Sequence, residues 1–465
     1  MNTLAWFILG AVCLQARSED GYARIMQGPM LGSVTQDSAL VWVRSSHLEP
    51  VQVRYGLDPW LQATDTQVSV SVIPTELSDR TAKLRLTNLE PDTTYYYRVE
   101  IAGRVDKYLK PYPAFSFHTP PARGTGARFR IAFGSCYRLQ ASAADNIWHG
   151  LAKWSPDAFI WVGDNIYGDA LDPMVLAEEY RRIHEVPVLS KFLSRIPQLA
   201  IWDDHDFGLN NHDREHPGKA ETLAMFQNYW VNPSYGLPQA PGVFTSYSYG
   251  GVDLFLLDVR YHRSPNEAPA GDERTMLGER QMAWLKAGLQ ASRAPFKILI
   301  SGSGWSFSKG ATGDAWSAFQ TERDALFDYI RDEKIEGVVL VSGDTHMGEL
   351  NAIPWSKRGG YDLYELTSSP LAQRSNPNWA HRQPEIRIRP GYSSSPNAGV
   401  IEFDLTQDDP VLRYVLVDDA GRECWTPLVV RASELRNGVS SWEQKIDPRL
   451  REAQARWERG EPYYQ

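Results

Sequence analysis

Residues Ala158-Phe159-Ile160-Trp161-Val162 form an apolar run that stops abruptly at Gly163-Asp164-Asn165-Ile166-Tyr167. A run without polar alternation reads as a strand buried on both faces, as in a parallel or mixed sheet covered by helices. Such a strand carries the next polar residue, here Asp164, to the open end of the sheet, with Tyr167 three residues on. Alone, Gly-Asp after a strand reads as a turn or helix cap more often than as a ligand. The chain repeats the device, however. Residues 129–133 lead into Gly134-Ser135-Cys136, residues 199–202 into Asp203-Asp204-His205-Asp206, and residues 338–342 into Gly343-Asp344-Thr345-His346. In open α/β sheets ligands collect outside the carboxyl ends of strands, so the expectation is that these loops converge on one site.

The charge balance narrows what such a site can serve. Lys and Arg number 48 against 57 Asp and Glu, a net charge of −9, and no long basic run occurs. The chain therefore lacks the field that holds a nucleic-acid backbone, and specific nucleic-acid binding is not expected. An anionic substrate would need positive charge supplied locally, as bound metal ions supply it. With 465 residues, 42% of them hydrophobic, there is material for two or three domains around a sizeable core.

Three cysteines occur, Cys13, Cys136 and Cys424. Cys13 lies in an apolar run over residues 4–14, the length of a signal-peptide h-region and too short to span a membrane. A signal peptide over residues 1–20 is expected, giving a periplasmic or secreted protein with no transmembrane anchor after its removal. The alternative is an ordinary buried N-terminal element. Cys136 and Cys424 then either form one disulfide or remain separate thiols, and only a free Cys136 is available as a ligand.

Residues 39–44, 51–55, 68–72, 81–86 and 94–100 alternate with period two between Gly, Pro, Asp and Asn, predicting an antiparallel sandwich over residues 21–120. Trp42 as a buried tryptophan, and the turn Leu89-Glu90-Pro91-Asp92-Thr93-Thr94-Tyr95 with its corner tyrosine, resemble a fibronectin type III-like domain. The Pro- and Gly-rich residues 120–126 read as a linker. From 127 to about 430 the texture is α/β, with helices predicted over 173–183 and 279–292 and further strands over 251–257 and 296–300. Residues 431–465 read as a charged, helix-prone tail without recognisable chemistry.

Carboxylate, imidazole, phenol and thiol together make a transition-metal ligand set, and the carboxylates also suit Ca²⁺, Mg²⁺ or Mn²⁺. A carboxylate between two ions can bridge them, and two ions can clamp the attacking and leaving oxygens of a phosphate ester. Asp164 is the expected bridge.

These residues carry a resemblance. Gly163-Asp164-Asn165-Ile166-Tyr167, Trp202-Asp203-Asp204-His205-Asp206-Phe207-Gly208, Gly343-Asp344-Thr345-His346 and Gly134-Ser135-Cys136 resemble the PhoD-like alkaline phosphatases of the calcineurin-type metallophosphatase superfamily. Leu257-Asp258-Val259-Arg260-Tyr261, Leu277-Gly278-Glu279-Arg280-Gln281 and Leu366-Thr367-Ser368-Ser369-Pro370 add to it. The resemblance implies a four-layer αββα metallophosphatase core over 127–430, holding iron(III) and one or two calcium ions, or other divalent metals. It implies that Cys136, Asp164, Tyr167 and His346 hold the iron. Asp164, Asp204 and Asp344 would hold the second metal, with Asn211 as a further contact. His205 would touch the phosphate or protonate the leaving oxygen, and Arg260 would clamp the anion.

The implied activity is that of a secreted metal-dependent phosphoesterase hydrolysing monoesters, diesters or both through a metal-bound hydroxide. The substrate would be a small-molecule or lipid phosphate ester. The alternatives are a phospholipase D-like phosphodiesterase and a non-catalytic binding protein with a vestigial metal site. The adjacent Asp203 and Asp204, and Asn210 and Asn211, leave the ligand register open. His212, His216 and His262 read as structural or surface residues, Trp148, Trp154, Trp230 and Trp284 as core, and Asp258 as a support for Arg260.

Overall fold

The apolar runs become strands where their lack of alternation predicts them. In the computed structural model, which describes residues 21–106, 108–109, 113–140, 145–271, 273–306, 313–379 and 386–461, Ala158–Val162 is buried at every position. Each such Ile or Val contributes about 2 kcal/mol of transfer free energy on leaving water. The expected signal peptide lies outside the described residues.

Ala158–Val162 pairs in parallel with Arg128–Gly134 on one side and Gln198–Ile201 on the other, so these strands deliver their following loops to the same edge. They sit within a nine-stranded sheet ordered Leu428–Arg431, Val411–Asp418, Asn397–Asp404, Arg128–Gly134, Ala158–Val162, Gln198–Ile201, Ile25–Gly32, Ala39–Ser45 and Thr81–Leu86. A six-stranded sheet runs Thr245–Tyr249, Val252–Leu256, Lys297–Ser301, Val338–Ser342, Asp362–Thr367 and Glu349–Pro354. Val338–Ser342 is parallel to both neighbours. The two sheets meet through aromatic pairs, Phe129 with Tyr249 at 5.2 Å and Phe296 with Phe403 at 5.8 Å between ring centroids. Their inward residues and those of helices Asn146–Ala152, Pro173–His184 and Lys219–Tyr229 form one apolar core. The protein is thus of mixed α/β class with a β-rich N-terminal part.

Toward the N-terminus, Ile25–Gly32, Ala39–Ser45 and Thr81–Leu86 face a second sheet of Gln67–Val68, Val51–Gly56, Thr94–Ile101, Arg104–Val105 and Phe115–His118, with a separate apolar core between them. Tyr95 makes the corner, its hydroxyl accepting from the Glu90 amide at 2.9 Å. The expected strand over 68–72 is shorter: Gln67–Val68 pairs, and Val72 returns as an isolated bridge to Val51. Trp42 is fully buried, but it leaves the sandwich. Val41 and Val43 face the sandwich core, while Leu40 and Trp42 join the larger one, where the indole N–H donates to the Asn228 carbonyl at 2.7 Å. Both faces of this strand are apolar because Ile25–Gly32 continues the large sheet, Gly32 pairing in parallel with Gln198.

The tail packs back onto the large core. Amides of Ser441 and Trp442 donate to Asp362 at 2.7 and 3.2 Å, and Leu450 and Ala453 of the helix Pro448–Glu458 cover Met347, next to His346. Among the described residues no helix is long and apolar enough to cross a membrane.

Candidate metal centre

The loops at the strand ends converge because glycines let the chains approach. A side chain at Gly163, whose φ is +85°, would place its Cβ 2.7 Å from that of Asp203, and one at Gly343 would meet the Val162 carbonyl at 2.7 Å. The Cys136 amide donates to the Gly163 carbonyl at 3.2 Å, and the Gly343 amide to the Gly302 carbonyl at 3.1 Å. Cys136, Asp164, Asn211, Asp344 and His346 all adopt left-handed backbone, with φ between 51° and 70°. That conformation is costly outside glycine and collects where side chains must be aimed.

Around Asp164 the aim is convergent. Cys136 Sγ and Tyr167 Oη each lie 3.4 Å from Asp164 Oδ2, and Tyr167 Oη lies 3.3 Å from His346 Nε2. Cys136, Asp164 and His346 offer donor atoms within 4.8 Å of one another, and so do Asp164, Asp204 and His205. Asp164 belongs to both groups. Cys136, Asp164 and Asp204 are buried at 0%, 1% and 3% exposure and make the floor, while Tyr167, His205, Asp344 and His346 stand half-buried above it. Cys136 and Cys424 are both free thiols, so the pairing left open by the sequence does not occur.

The electrostatics of this floor fit a cation. Burial pushes Asp164 well above the usual carboxylate range, with Cys136 and Asp204 adding to it, and it pushes Tyr167 up likewise. Burial and Asp344 carry the Cys136 thiol up to about 11. With protein alone around them, these donors are driven toward their protonated, neutral forms. Added positive charge is what would ionise them together, and thiolate, phenolate, imidazole and carboxylate are the donors a transition metal takes.

The remaining predicted residues divide. Asp204 joins the donor group of Asp164 and His205, whereas Asp203 turns to an ion pair with Arg260 Nε. Asn211 meets Asp204 through its backbone amide, 2.8 Å from Oδ2. With its side-chain amide turned to donate, the nitrogen lies 3.3 Å from Asp204 Oδ2 and 3.0 Å from Asp314 Oδ2. Asp344 lies outside both close donor groups; its amide is 3.3 Å from Ser135 Oγ, and its charge acts on Cys136.

Arg260 does not have the geometry of an anion clamp. Its side chain is 0% exposed, and besides Asp203 it lies 2.9 Å from Asp314 Oδ2 and 3.6 Å from Asp204 Oδ1. Three buried carboxylates need a cation among them, and a guanidinium that supplies it has no free edge for a substrate. Asp258 supports Arg260 through the backbone, Oδ1 accepting from the amides of Arg260 and Tyr261 at 2.9 Å each. His216 and His262 serve as structural residues, bonded to Thr222 at 3.2 Å and the Pro241 carbonyl at 2.8 Å.

Several supporting residues lie outside the sequence reading. Asn165 and Asp206 tie two of the loops together. Arg263 donates to the carbonyls of Asn211 and His212 at 2.7 and 3.0 Å and so holds the Asn211 loop. Ser369 Oγ accepts from the His346 amide at 3.0 Å, and Asn397 in turn accepts from the Ser369 amide at 3.1 Å. Asp169 Oδ1 lies 2.5 Å from His205 Nδ1. Asn165, Asp206 and Asp169 fall within or beside the strand-end motifs, a signal that points to them; Asp314 follows no strand and offers none.

Two sheets whose strand ends bring buried carboxylates, a thiol, a phenol and imidazoles together define a mixed α/β protein with a candidate metal centre. A solved structure of PhoD shares the fold, with a TM-score of 0.70 over 94% of this chain and 98% of that one at 17% identity. Purple acid phosphatase PPD1 from yellow lupin (Lupinus luteus) seeds shares it with a TM-score of 0.61 over 90% and 75% of the two chains at 11% identity. The family model for PhoD-like phosphatase matches residues 131–408, and that for the PhoD-like phosphatase N-terminal domain matches residues 12–109. The chain belongs to the PhoD-like phosphatase family. Alkaline phosphatase D of Bacillus subtilis (strain 168) is 25% identical over 334 residues, covering 61% of this chain and 55% of that relative, so the match spans about half the relative's length.

Proposed function

We propose that this protein is a metal-dependent phosphoesterase resembling alkaline phosphatase D, acting on a small-molecule or lipid phosphate monoester, diester or both. One observation carries the reading above the others: Asp164 belongs to both donor groups, as a carboxylate bridging two cations must. The donor chemistry favours iron(III) toward Cys136, Asp164, Tyr167 and His346, because thiolate and phenolate suit a highly charged transition metal. It favours a harder cation, calcium, toward Asp164, Asp204 and Asp344, whose side chains offer carboxylate oxygen, with the Asn211 amide steadying Asp204 rather than offering its own oxygen. Cations held there would supply charge against the phosphate oxygens and an activated water.

The chain's own residues do the rest. Buried Cys136, Asp164 and Asp204 keep bulk water from the floor, which strengthens electrostatic interactions above it. His205, half-buried at the rim, holds a proton for the departing oxygen. Arg260 anchors Asp203 from beneath and approaches Asp204, and thereby fixes which of the two faces the donors. The apolar run over 4–14 agrees with an exported, periplasmic or secreted protein.

The test is elemental analysis of the purified protein alongside hydrolysis of p-nitrophenyl phosphate and bis(p-nitrophenyl) phosphate. Iron with calcium and turnover of either ester is expected, and the ratio of the two rates ranks monoester against diester. A protein that binds no metal and turns over neither ester after reconstitution would overturn the reading in favour of a non-catalytic binding protein.

A further inference from the structure

We infer that Asp169 is a positioning residue for His205, an inference that rests on the role proposed for His205 above. The loop that starts at Asp164 wraps around this histidine and holds it at three points. The amides of Gly168 and Asp169 both face the His205 carbonyl, at 3.2 and 3.4 Å. Asp169 then takes a left-handed conformation, φ 44°, and its Oδ1 lies 2.5 Å from His205 Nδ1. The imidazole lies against the Tyr167 ring, centroids 4.3 Å apart. Backbone, ring edge and ring face are thus all held by one six-residue turn of chain, residues 164–169.

The chemical consequence follows from what a carboxylate can do. A carboxylate at Asp169 only accepts, so Nδ1 carries the hydrogen of that bond; in the imidazolium form that proton donation requires, Nε2–H is the donor left for a substrate oxygen. The ring plane is fixed as well as the nitrogen that faces the substrate, which matters because misplacement of a reacting group by about 1 Å costs on the order of 100-fold. Asp169 is not itself a member of either donor group, though it bonds His205, which is; its side chain is 43% exposed, so replacing it spares the core and the group of Cys136, Asp164 and His346.

The test compares Asp169→Asn, Asp169→Glu, His205→Ala and the double variant Asp169→Asn/His205→Ala, metal-loaded, on phosphate esters of phenols of stepwise rising pKa. Asp169→Asn is expected to lower kcat about tenfold for the least acidic phenol and little for p-nitrophenol, with KM and metal content unchanged. Asp169→Glu should recover part of the loss, and the double variant should be no slower than His205→Ala, because the two act as a unit. Loss of metal from Asp169→Asn would tie Asp169 to the metal site, directly or through His205 as a ligand, and overturn the inference. A loss of kcat equal for all phenols, or losses that multiply in the double variant, would overturn it too. If Asp169→Asn matches the wild type while His205→Ala does not, Asp169 has no such role and the reading of His205 stands. If His205→Ala itself matches the wild type, both fall.

Discussion

The carboxylate of Asp206 accepts from Asn165 twice, from its backbone amide at 3.1 Å and from its side-chain amide at 2.7 Å. The same carboxylate accepts from the Asp203 amide at 2.7 Å, and Asn165 donates onward to the Ile201 carbonyl at 2.8 Å. Both residues are 0% exposed. The loop carrying Asp164 and the loop carrying Asp204 are therefore one hydrogen-bonded unit, and the distance between those two carboxylates is set from behind. Asp206→Ala would leave three buried N–H groups without their acceptor, at about 1–3 kcal/mol each before relaxation. The expected outcome is a fall in unfolding free energy of roughly 3 kcal/mol with metal affinity reduced about 10- to 100-fold. Urea denaturation and metal titration measure the two, and Asp206→Asn, which keeps one acceptor oxygen, should fall between the variant and the wild type.

Arg260 and its carboxylates give a prediction that separates two roles. An anion clamp, when removed, raises KM and leaves the fold alone. A buried cation balancing Asp203 and Asp314, when removed, leaves uncompensated charge in the interior, worth about 3–5 kcal/mol of stability. Arg260→Met is therefore expected to lower the melting temperature markedly. Arg260→Lys should rescue it poorly, since an ammonium cannot reproduce the planar fork between two carboxylates. Unchanged thermal stability with a raised KM would return Arg260 to the substrate.

How far the chain could be read depended on the range of the interactions. The strand ends were legible because Ala158–Val162 is apolar throughout and Val338–Ser342 up to its final serine, and each is followed at once by Gly-Asp. Asp164, Cys136, His346 and Tyr167 could be named together for the same reason, each lying within five residues of a strand end. The enclosure of Arg260 by carboxylates was not legible, because nothing local reveals that Asp314, 54 residues away, waits beside it. Ile25–Gly32 escaped notice since two glycines, Pro29 and shifts of register against Ala39–Ser45 break its alternation, yet it is the strand that joins the N-terminal part to the large sheet. Trp42 was correctly expected to be buried, and its partner face was not foreseeable without that joint.

The shared position of Asp164 makes metal content a diagnostic. Asp164→Ala should strip both kinds of metal and abolish turnover, because both donor groups lose a member. Cys136→Ser touches one group only. It should deplete iron while calcium is retained, since an alcohol is a far poorer ligand than a thiolate for a transition metal. Elemental analysis of the two variants beside the wild type checks this, and equal loss of both metals from Cys136→Ser would contradict two separable groups.

His184 carries the pH prediction, at the junction of the N-terminal sheet and the large core. Its ring lies 4.6 Å from that of Trp42, and Nδ1 donates to the Tyr180 carbonyl at 2.7 Å. Burial lowers its pKa from 6.5 to about 4, the carbonyl opposing in part. The folded state therefore holds this imidazole neutral, whereas the unfolded chain takes up a proton below its ordinary pKa of about 6.5. Stability from this group is complete above that value, declines as pH falls from 6.5 toward 4, and changes no further below. The full swing is about 3 kcal/mol. Buried carboxylates with raised pKa, such as Asp157, slope the other way, so the measurement is a difference: unfolding free energy against pH for the wild type and for His184→Phe. At pH 8 the variant should be less stable by about 1 kcal/mol through the lost hydrogen bond. As pH falls the gap should close and then reverse, and a gap independent of pH would mean that His184 protonates in the folded protein as readily as in the unfolded chain.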